Sequence, residues 1–289
     1  MTISGKTRVC GVIGDPIEHS LSPIMHNAAF EALGLDYVFL AFKVKPARVA
    51  DAMDGMRALN IRGLNVTMPH KKKVMASLDR IDLSAQIIDS VNTILNQGNL
   101  LFGFNTDGVG AVKALKENGV ELKGRKVLLL GAGGAARAIA YAMAKEADEL
   151  AVLNRTVKQA QALAKLLEKS VSKKIAFASL SPSDVQRNLQ DSDVLINATS
   201  IGMKPHPEET PVQPKLLRPN LSVMDIVYNP LETKLSKDAK AAGAKVVSGV
   251  EMLIYQGAAS FDIWTGKSAP VEVMRQAVLN HLHQKAKVG

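Results

Sequence analysis

The chain has 289 residues, 47% of them hydrophobic and 22% charged, with 36 Lys+Arg against 27 Asp+Glu for a formal charge of +9. That length and apolar share exclude a disordered chain and favour two domains over one core. Aromatics are only 4% and the basic residues are scattered, with Lys71-Lys72-Lys73 the densest run; no nucleic-acid partner is expected, only a solvated basic face or one that gathers small anions.

In chain order, residues 1–8 lack the apolar stretch of a secretory leader. No apolar run approaches the roughly 20 residues that cross a bilayer. A cytoplasmic protein with no membrane contact is the expectation. Residues 8–13 read as a short apolar strand holding Cys10, the only cysteine, so a reduced core thiol is predicted and no internal disulfide. Gly14-Asp15-Pro16 closes that strand. Ser22-Pro23 then opens a helix to Leu33, with Ser22 as cap and Pro23 at the first helical position. Residues 37–44 read as a strand, 49–59 as an amphipathic helix and 63–67 as a strand, with a helix after Lys71. Residues 90–95 and 100–104 read as a hairpin around Asn96-Gln97-Gly98-Asn99. Asp107-Gly108 starts a helix to about Asn118.

The pattern then changes. Residues 126–130 are a continuous apolar strand, followed by a glycine-rich turn and an Ala-rich helix. Residues 150–153 are the next strand and 157–168 the next helix. Further apolar runs lie at 175–178, 194–197, 223–226 and 246–247, and the tail from Met252 is helical again. Buried runs separated by helices predict a parallel sheet with crossovers.

Gly131, Gly133 and Ala136 fit G-x-G-x-x-G/A directly after a strand and at the start of a helix. In that context the pattern predicts dinucleotide binding. Gly131 permits a tight turn, Gly133 lets backbone approach a pyrophosphate, and Ala136 allows close helix–strand packing. At the end of the second strand an NAD site usually carries a carboxylate for the ribose 2′-hydroxyl. Here the residues are Asn154-Arg155-Thr156. Arg155 can pair with a 2′-phosphate through its planar fork, with Thr156 and Lys158 adding contacts. NADP is therefore the expected cofactor.

The first third carries polar residues at strand ends and helix starts. Ser20-Leu21-Ser22-Pro23 is either a helix cap or, through hydroxyls and amides together, a carboxylate site. Asn65-Val66-Thr67-Met68-Pro69-His70-Lys71, Asn92-Thr93 and Asn105-Thr106-Asp107 end apolar runs in polar groups, where open sheets bind ligands. His19, His26 and His70 lack metal-ligand spacing, so no metal is expected. His26 reads as a helix-face residue, and His19 and His70 as loop residues near the polar cluster.

Together these strings resemble the shikimate dehydrogenase family. The resemblance runs from Gly14-Asp15-Pro16-Ile17 and Ser20-Leu21-Ser22-Pro23, through Asn65-Val66-Thr67-Met68-Pro69 with Lys71, Val91-Asn92-Thr93 and Gly103-Phe104-Asn105-Thr106-Asp107-Gly108. It continues in Gly131-Ala132-Gly133-Gly134-Ala135, Asn154-Arg155-Thr156, Asn197-Ala198-Thr199-Ser200-Ile201-Gly202-Met203 and Asp225 to Pro230. It ends at Gly249, Met252-Leu253 and Gln256. Two positions depart: Gln159 stands where many relatives have a second Arg, and Asp89-Ser90 where they have Gly-Ala.

The resemblance implies an NADP-dependent enzyme that reversibly reduces 3-dehydroshikimate to shikimate, on the route to chorismate and the aromatic amino acids. It implies an α/β fold: an N-terminal substrate domain, a Rossmann-type domain, a cleft between them and C-terminal helices returning to the first. The implied bounds are 1–107 with 250–289, and 108–249. By the same resemblance Ser20, Ser22 and Tyr228 hold the substrate carboxylate, while Thr67, Asn92 and Gln256 bind ring hydroxyls and Asn65 lines the pocket. Lys71 and Asp107 are the implied catalytic pair. Gly131, Ala132, Gly133, Gly134, Ala135, Asn154, Arg155, Thr156, Thr199, Ile226 and Gly249 line the implied NADP site. The partner is a small-molecule substrate, and a homodimer is compatible with the pattern. Either Lys71 carries the proton and Asp107 orients it, or Asp107 holds the substrate hydroxyl while Lys71 steadies charge. The competing readings are a quinate/shikimate dehydrogenase with relaxed substrate or NAD use, and a non-catalytic NADP/acid sensor.

Overall fold

β1 (Arg8–Gly14) turns inward from Cys10, which is fully buried. A strand buried on both faces needs neighbours on both sides, and β1 has them. The computed structural model describes residues 3–288. After β1 come α1 (Ser22–Ala32), β2 (Tyr37–Lys43), α2 (Val49–Ala58) and β3 (Gly63–Val66). Then follow β4 (Arg80–Ile81), α3 (Leu83–Ile88), β5 (Thr93–Gln97) and β6 (Leu100–Phe104). The first sheet has the order β2-β1-β3-β5-β6-β4. β1 runs parallel to β2 and β3, while β3–β5 and β5–β6 are antiparallel. Ile13, Met53, Met56, Leu64, Val74 and Ile94 share one core beneath it.

Several elements differ from expectation. α1 begins at Ser22 rather than after it: Leu21 is the cap, and Ser22 makes no capping bond from its side chain. The Ser20 hydroxyl instead accepts the Ser22 amide at 3.3 Å, so the orphan donor of this helix end is met one residue upstream. After Lys71 there is only a 3-10 stretch, Lys73–Ser77. The hairpin turn falls within the expected four residues but is only two long, because β5 runs on to Gln97; Gly98 and Asn99 are both at positive φ, as a tight hairpin requires.

The second sheet follows the periodic reading closely. Its chain order is α4 (Asp107–Glu117), β7 (Lys126–Leu130), α5 (Gly134–Glu146), β8 (Glu149–Asn154), α6 (Val157–Val171) and β9 (Ala176–Ser179). Then come α7 (Pro182–Leu189), β10 (Val194–Asn197), β11 (Ser222–Asp225), α8 (Lys234–Ala241) and β12 (Lys245–Ser248). The sheet order is β12-β11-β10-β7-β8-β9, every pair parallel. This is the doubly wound Rossmann-type arrangement, and its order reverses beside β7. α7 and α8 had no counterpart in the periodic reading.

α9 (Gly249–Thr265) and α10 (Val271–Val288) complete the chain. Chain packing divides it into two units, Met1–Thr106 with Ile254–Gly289, and Asp107–Leu253. The later part of α9 thus belongs with the first sheet. Trp264 fastens it there: its indole N–H donates to the Ile94 carbonyl at 3.0 Å, and Arg62 Nε donates to the Trp264 carbonyl at 3.0 Å. A Cβ on Gly63 would sit 2.3 Å from the indole, so β3 needs glycine at that position. α10 packs on α1.

Candidate active site

In the first unit three of the predicted polar residues, Asn65, Asn92 and Gln256, meet near the ends of β3, β5 and β6. Asn92 is the hub, buried just before β5. Its Oδ1 accepts from the Thr106 amide at 2.8 Å and from the Thr93 hydroxyl at 2.9 Å. Its Nδ2 donates to Thr106 Oγ1 at 2.9 Å and to Gln256 Oε1 at 3.4 Å. Asn65, on β3, donates from Nδ2 to Ser260 Oγ at 3.0 Å and to the Asn92 carbonyl at 3.2 Å. Thr93 and Ser260 hydroxyls lie 2.8 Å apart. α9 therefore delivers Gln256 and Ser260, one helical turn apart, to residues more than 150 positions earlier. Gln256 was singled out from sequence, Thr93 and Thr106 only as polar strand ends, and Ser260 not at all. Oδ1 of Asn65 is buried without a hydrogen-bond partner, and the wholly buried His26 ring lies beside this amide.

Two charged residues adjoin members of this cluster along the backbone. The Lys71 carbonyl accepts the Val91 amide at 2.8 Å, which ties Lys71 to the neighbour of Asn92. Its side chain is half-buried, unlike those of Lys72 and Lys73. Asp107 is the next residue after Thr106 and opens α4, with 5% of its surface exposed. At the other strand ends, Ser20 and Ser22 adjoin through the 3.3 Å bond already described, and Ser22 is buried. Thr67 is half-buried and packs so close that a Cβ on Gly14 would meet its methyl at 2.5 Å.

Of the histidines, only His26 adjoins this cluster, beside the Asn65 amide. His19 is exposed. His70 is wholly buried and its Nε2 sits 2.6 Å from the Val44 carbonyl. A carbonyl only accepts, so Nε2 carries the proton. It is a loop residue, and it straps that loop to the end of the β2 segment at Val44. Asp89 and Ser90, the departing pair, also have structural duties. Asp89 ends α3 in the left-handed region and its carboxylate pairs with Lys72 at 2.5 Å. The Ser90 carbonyl accepts Asn105 Nδ2 at 2.9 Å.

The second unit supplies the glycine-rich loop. Gly131 has φ of 113°, and a Cβ there would lie 2.6 Å from the Ala198 carbonyl oxygen; both facts demand glycine. Gly133 caps α5 with no side chain to accept its amides, and a Cβ there would meet nothing within 4 Å. The helix N-terminus therefore faces open space, which suits the backbone approach of a pyrophosphate. Ala136 is fully buried, as expected for close packing. Ala132 completes the turn, and Gly134 and Ala135 open α5.

The end of β8 carries no carboxylate. Arg155, Thr156 and Lys158 are exposed, and among the described residues Arg155 makes no ion pair. Asn154 Nδ2 donates to Gln159 Oε1 at 2.9 Å and to the Thr156 carbonyl at 3.1 Å. Gln159, where many relatives have Arg, thus braces the loop that presents Arg155. These residues fit a 2′-phosphate and not a bare 2′-hydroxyl.

Thr199 follows β10, and Ile226 and Tyr228 follow β11. Tyr228 is half-buried, and burial raises its phenol pKa. A Cβ on Gly249 would lie 2.5 Å from the Ile226 carbonyl oxygen, so the start of α9 needs glycine to pass the β11 exit. Two buried residues at these strand ends had no role in the sequence reading: Asn197 and Asp225 are 0% and 1% exposed. A polar residue closing each apolar run was the available signal.

Comparison with known proteins covers nearly the whole chain. Residues 12–94 match the family described as shikimate dehydrogenase substrate binding domain, 113–225 that of shikimate / quinate 5-dehydrogenase, and 249–279 the shikimate 5'-dehydrogenase C-terminal domain. A shikimate dehydrogenase (NADP(+)) of Methanopyrus kandleri is 49% identical over 98% of both chains. A crystal structure of a shikimate dehydrogenase in complex with NADP+ has a TM-score of 0.93 at 47% identity, covering 97% of this chain and 98% of the other. That of shikimate 5-dehydrogenase from Listeria monocytogenes, in complex with shikimate and NAD, has a TM-score of 0.90 at 38% identity, covering 96% and 98%.

Proposed function

The chain belongs to the shikimate dehydrogenase family, and we propose that it reversibly reduces 3-dehydroshikimate to shikimate with NADPH, a step of the shikimate pathway. It is an oxidoreductase with NADP as cofactor. The observation that carries this reading is the 49% identity over 98% of both chains to an NADP(+) enzyme. The acid-free, Arg-bearing end of β8 supports the cofactor choice independently.

When bound, NADPH supplies the hydride. The rest is the work of this chain. The first unit serves as the substrate domain and the second, Asp107–Leu253, as the NADP domain. Ser20, Ser22 and Tyr228 hold the substrate carboxylate. Thr67, Asn92 and Gln256 take ring hydroxyls, and Asn65 lines the same pocket. The Asn92 cluster is neutral and prebonded, so it orients a ring without itself exchanging protons. The proton released as the alcohol becomes a carbonyl falls to Lys71 and Asp107. Either Lys71 takes it with Asp107 orienting the ammonium, or Asp107 holds the hydroxyl and Lys71 balances the developing charge. Gly131 to Ala135 cradle the pyrophosphate, Asn154 to Thr156 with Lys158 the ribose phosphate, and Thr199, Ile226 and Gly249 the remaining cofactor contacts.

No helix of the described residues is long and apolar enough to cross a membrane. The pathway and the lone reduced thiol fit a cytoplasmic enzyme, and a homodimer is the assembly we propose. The deciding assay is shikimate-dependent NADPH formation, run beside quinate and beside NAD. Shikimate with NADP is expected to be the fastest pair; quinate with NAD being fastest would replace this reading by the relaxed one, which the shikimate / quinate match over 113–225 keeps in view. Arg155→Gln is expected to raise the KM for NADP by roughly ten- to a hundredfold, the worth of one charge-assisted pair, and to leave NAD kinetics unchanged.

A further inference from the structure

β10 and β11 end side by side: Asn197 and Asp225 are register partners at the last position of each strand. Their side chains form a closed set of bonds. Asp225 Oδ1 accepts from Asn197 Nδ2 at 2.9 Å and from the Val227 amide at 3.1 Å. Oδ2 accepts from the Thr233 hydroxyl at 2.7 Å. Asn197 Oδ1 accepts from the Thr199 hydroxyl at 2.7 Å and the Thr199 amide at 3.1 Å. Thr199 Oγ1 in turn accepts the Ile201 amide at 3.1 Å. Thr233 is also the cap of α8, accepting the Ser236 amide at 3.1 Å.

A carboxylate buried this deeply is a costly way to fill a strand end. Apolar side chains of similar size commonly do as well or better for stability. What a carboxylate adds is the capacity to bind several donors at once in fixed directions. Here the donors come from the loop after β10, through Asn197, and from the loop after β11, through Val227 and Thr233. Both loops leave the carboxyl ends of parallel strands, where open α/β sheets bind ligands.

We infer that Asp225 is a positioning residue that locks the β10 and β11 exit loops into one arrangement, so that the Thr199 and Ile226 contacts to the cofactor and the Tyr228 contact to the substrate carboxylate are set together. The assignment of those three contacts rests on the function proposed above; the lock itself rests on the bonds of this unit. Asp225 touches neither ligand. It acts through Asn197, Val227 and Thr233.

Thr233 gives the cleaner test, because valine keeps its shape without the hydroxyl. The experiment compares the full-length wild type with Asp225→Asn, Thr233→Val and Thr233→Ser. It measures NADP dissociation by calorimetry, the KM for shikimate, and amide exchange along residues 198–203 and 226–230. Asp225→Asn and Thr233→Val are expected to weaken NADP and raise the shikimate KM together, by about tenfold, the worth of one hydrogen bond to a charged group. Exchange in both loops is expected to quicken together, and Thr233→Ser to restore all three. The lock is overturned if folded Thr233→Val keeps both constants within about twofold, or if exchange rises in one loop alone. Failure of the wild type to oxidise shikimate would instead remove the functional reading, while NADP affinity and loop exchange still judge the lock. Should Asp225→Asn not fold, the Thr233 pair decides alone.

Discussion

Each unit buries a group able to take up a proton, His26 in the first and Asp225 in the second, and these two sit in opposite surroundings. In the first unit His26 is fully buried on the inner face of α1, stacked on Phe39 at 4.5 Å and 14°. Neither ring nitrogen has a hydrogen-bond partner among the described residues. Burial pushes its pKa down to about 3, opposed only by the Asn65 amide beside it. In the second unit Asp225 has three donors, yet burial still pushes it up to about 6, against Thr233, Val227 and Asn197, which favour the charge. One unit uses its titratable group as part of an apolar stack. The other uses it as a tie. The chemistry of the first unit must then come from a neutral cluster and from charges outside the stack.

Lys71 tests that division with the largest effect. Lys71→Ala is expected to lower turnover by about 10²–10⁴-fold, the range of acid–base assistance. The shikimate KM should move little, because the Asn92 cluster still holds the ring. A KM rise with intact turnover in steady-state assays would make Lys71 a binding residue and merge charge and grip into one device.

Asn92→Ala breaks the neutral side of the comparison. Thr93, Thr106 and Gln256 would lose their shared partner. A buried group left unpaired costs about 1–3 kcal/mol. Thermal denaturation should show Tm lower by roughly 5–10 °C, with a raised shikimate KM. Unchanged stability would mean water replaces the amide, and that the cluster is looser than its bonds suggest.

The two regions also differed in how far the sequence alone could specify them. Residues 126–130 and 194–197 were bounded correctly because a strand buried on both faces is a continuous apolar run with polar ends. α7 and α8 were missed because each buries only a narrow stripe, Val185 and Leu189 in one, Leu235, Ser236 and Ala239 in the other. Their caps, Ser181 and Thr233, were the readable signs. The glycine loop could be read whole, since its pattern is local. The first unit's cluster could be read only as separate fragments. Periodicity does not tell that Ser260 meets Asn65, or that Gly63 yields to Trp264, because those partners lie on α9, some 200 positions away.

Asp225 gives a pH test in the second unit. Its pKa rises from 3.8 to about 6 on folding, so the folded chain binds this proton more readily than the unfolded one. Asp225 therefore adds stability as pH falls from about 6 towards 3.8, and loses that contribution as pH rises through 6. Protonation also leaves one donor without its charged partner. Between those limits the wild type is expected to gain stability relative to Asp225→Asn while its NADP affinity declines. Denaturant melts and calorimetric titrations at a series of pH values check both. A wild-type-minus-variant stability difference that is flat with pH would mean the carboxylate stays charged throughout.

His26 has the opposite sign and the smallest expected effect at neutral pH. Its pKa falls from 6.5 to about 3 on folding, so the unfolded chain binds the proton first. Its contribution to stability is whole above 6.5 and is lost as pH drops towards 3. Phenylalanine keeps the stack with Phe39 and removes two unpaired nitrogens, a change that is often neutral or stabilising. His26→Phe is thus expected to melt within about 3 °C of the wild type at pH 7, and to pull ahead of it as pH falls to 5. The same substitution should leave the shikimate KM nearly unmoved, because Asn65 is held by Ser260 and the Asn92 carbonyl rather than by the ring. A large KM rise at unchanged stability would show that the imidazole completes a bond to Asn65 Oδ1 in solution. His26 would then be a tie like Asp225, and the two units would share one design.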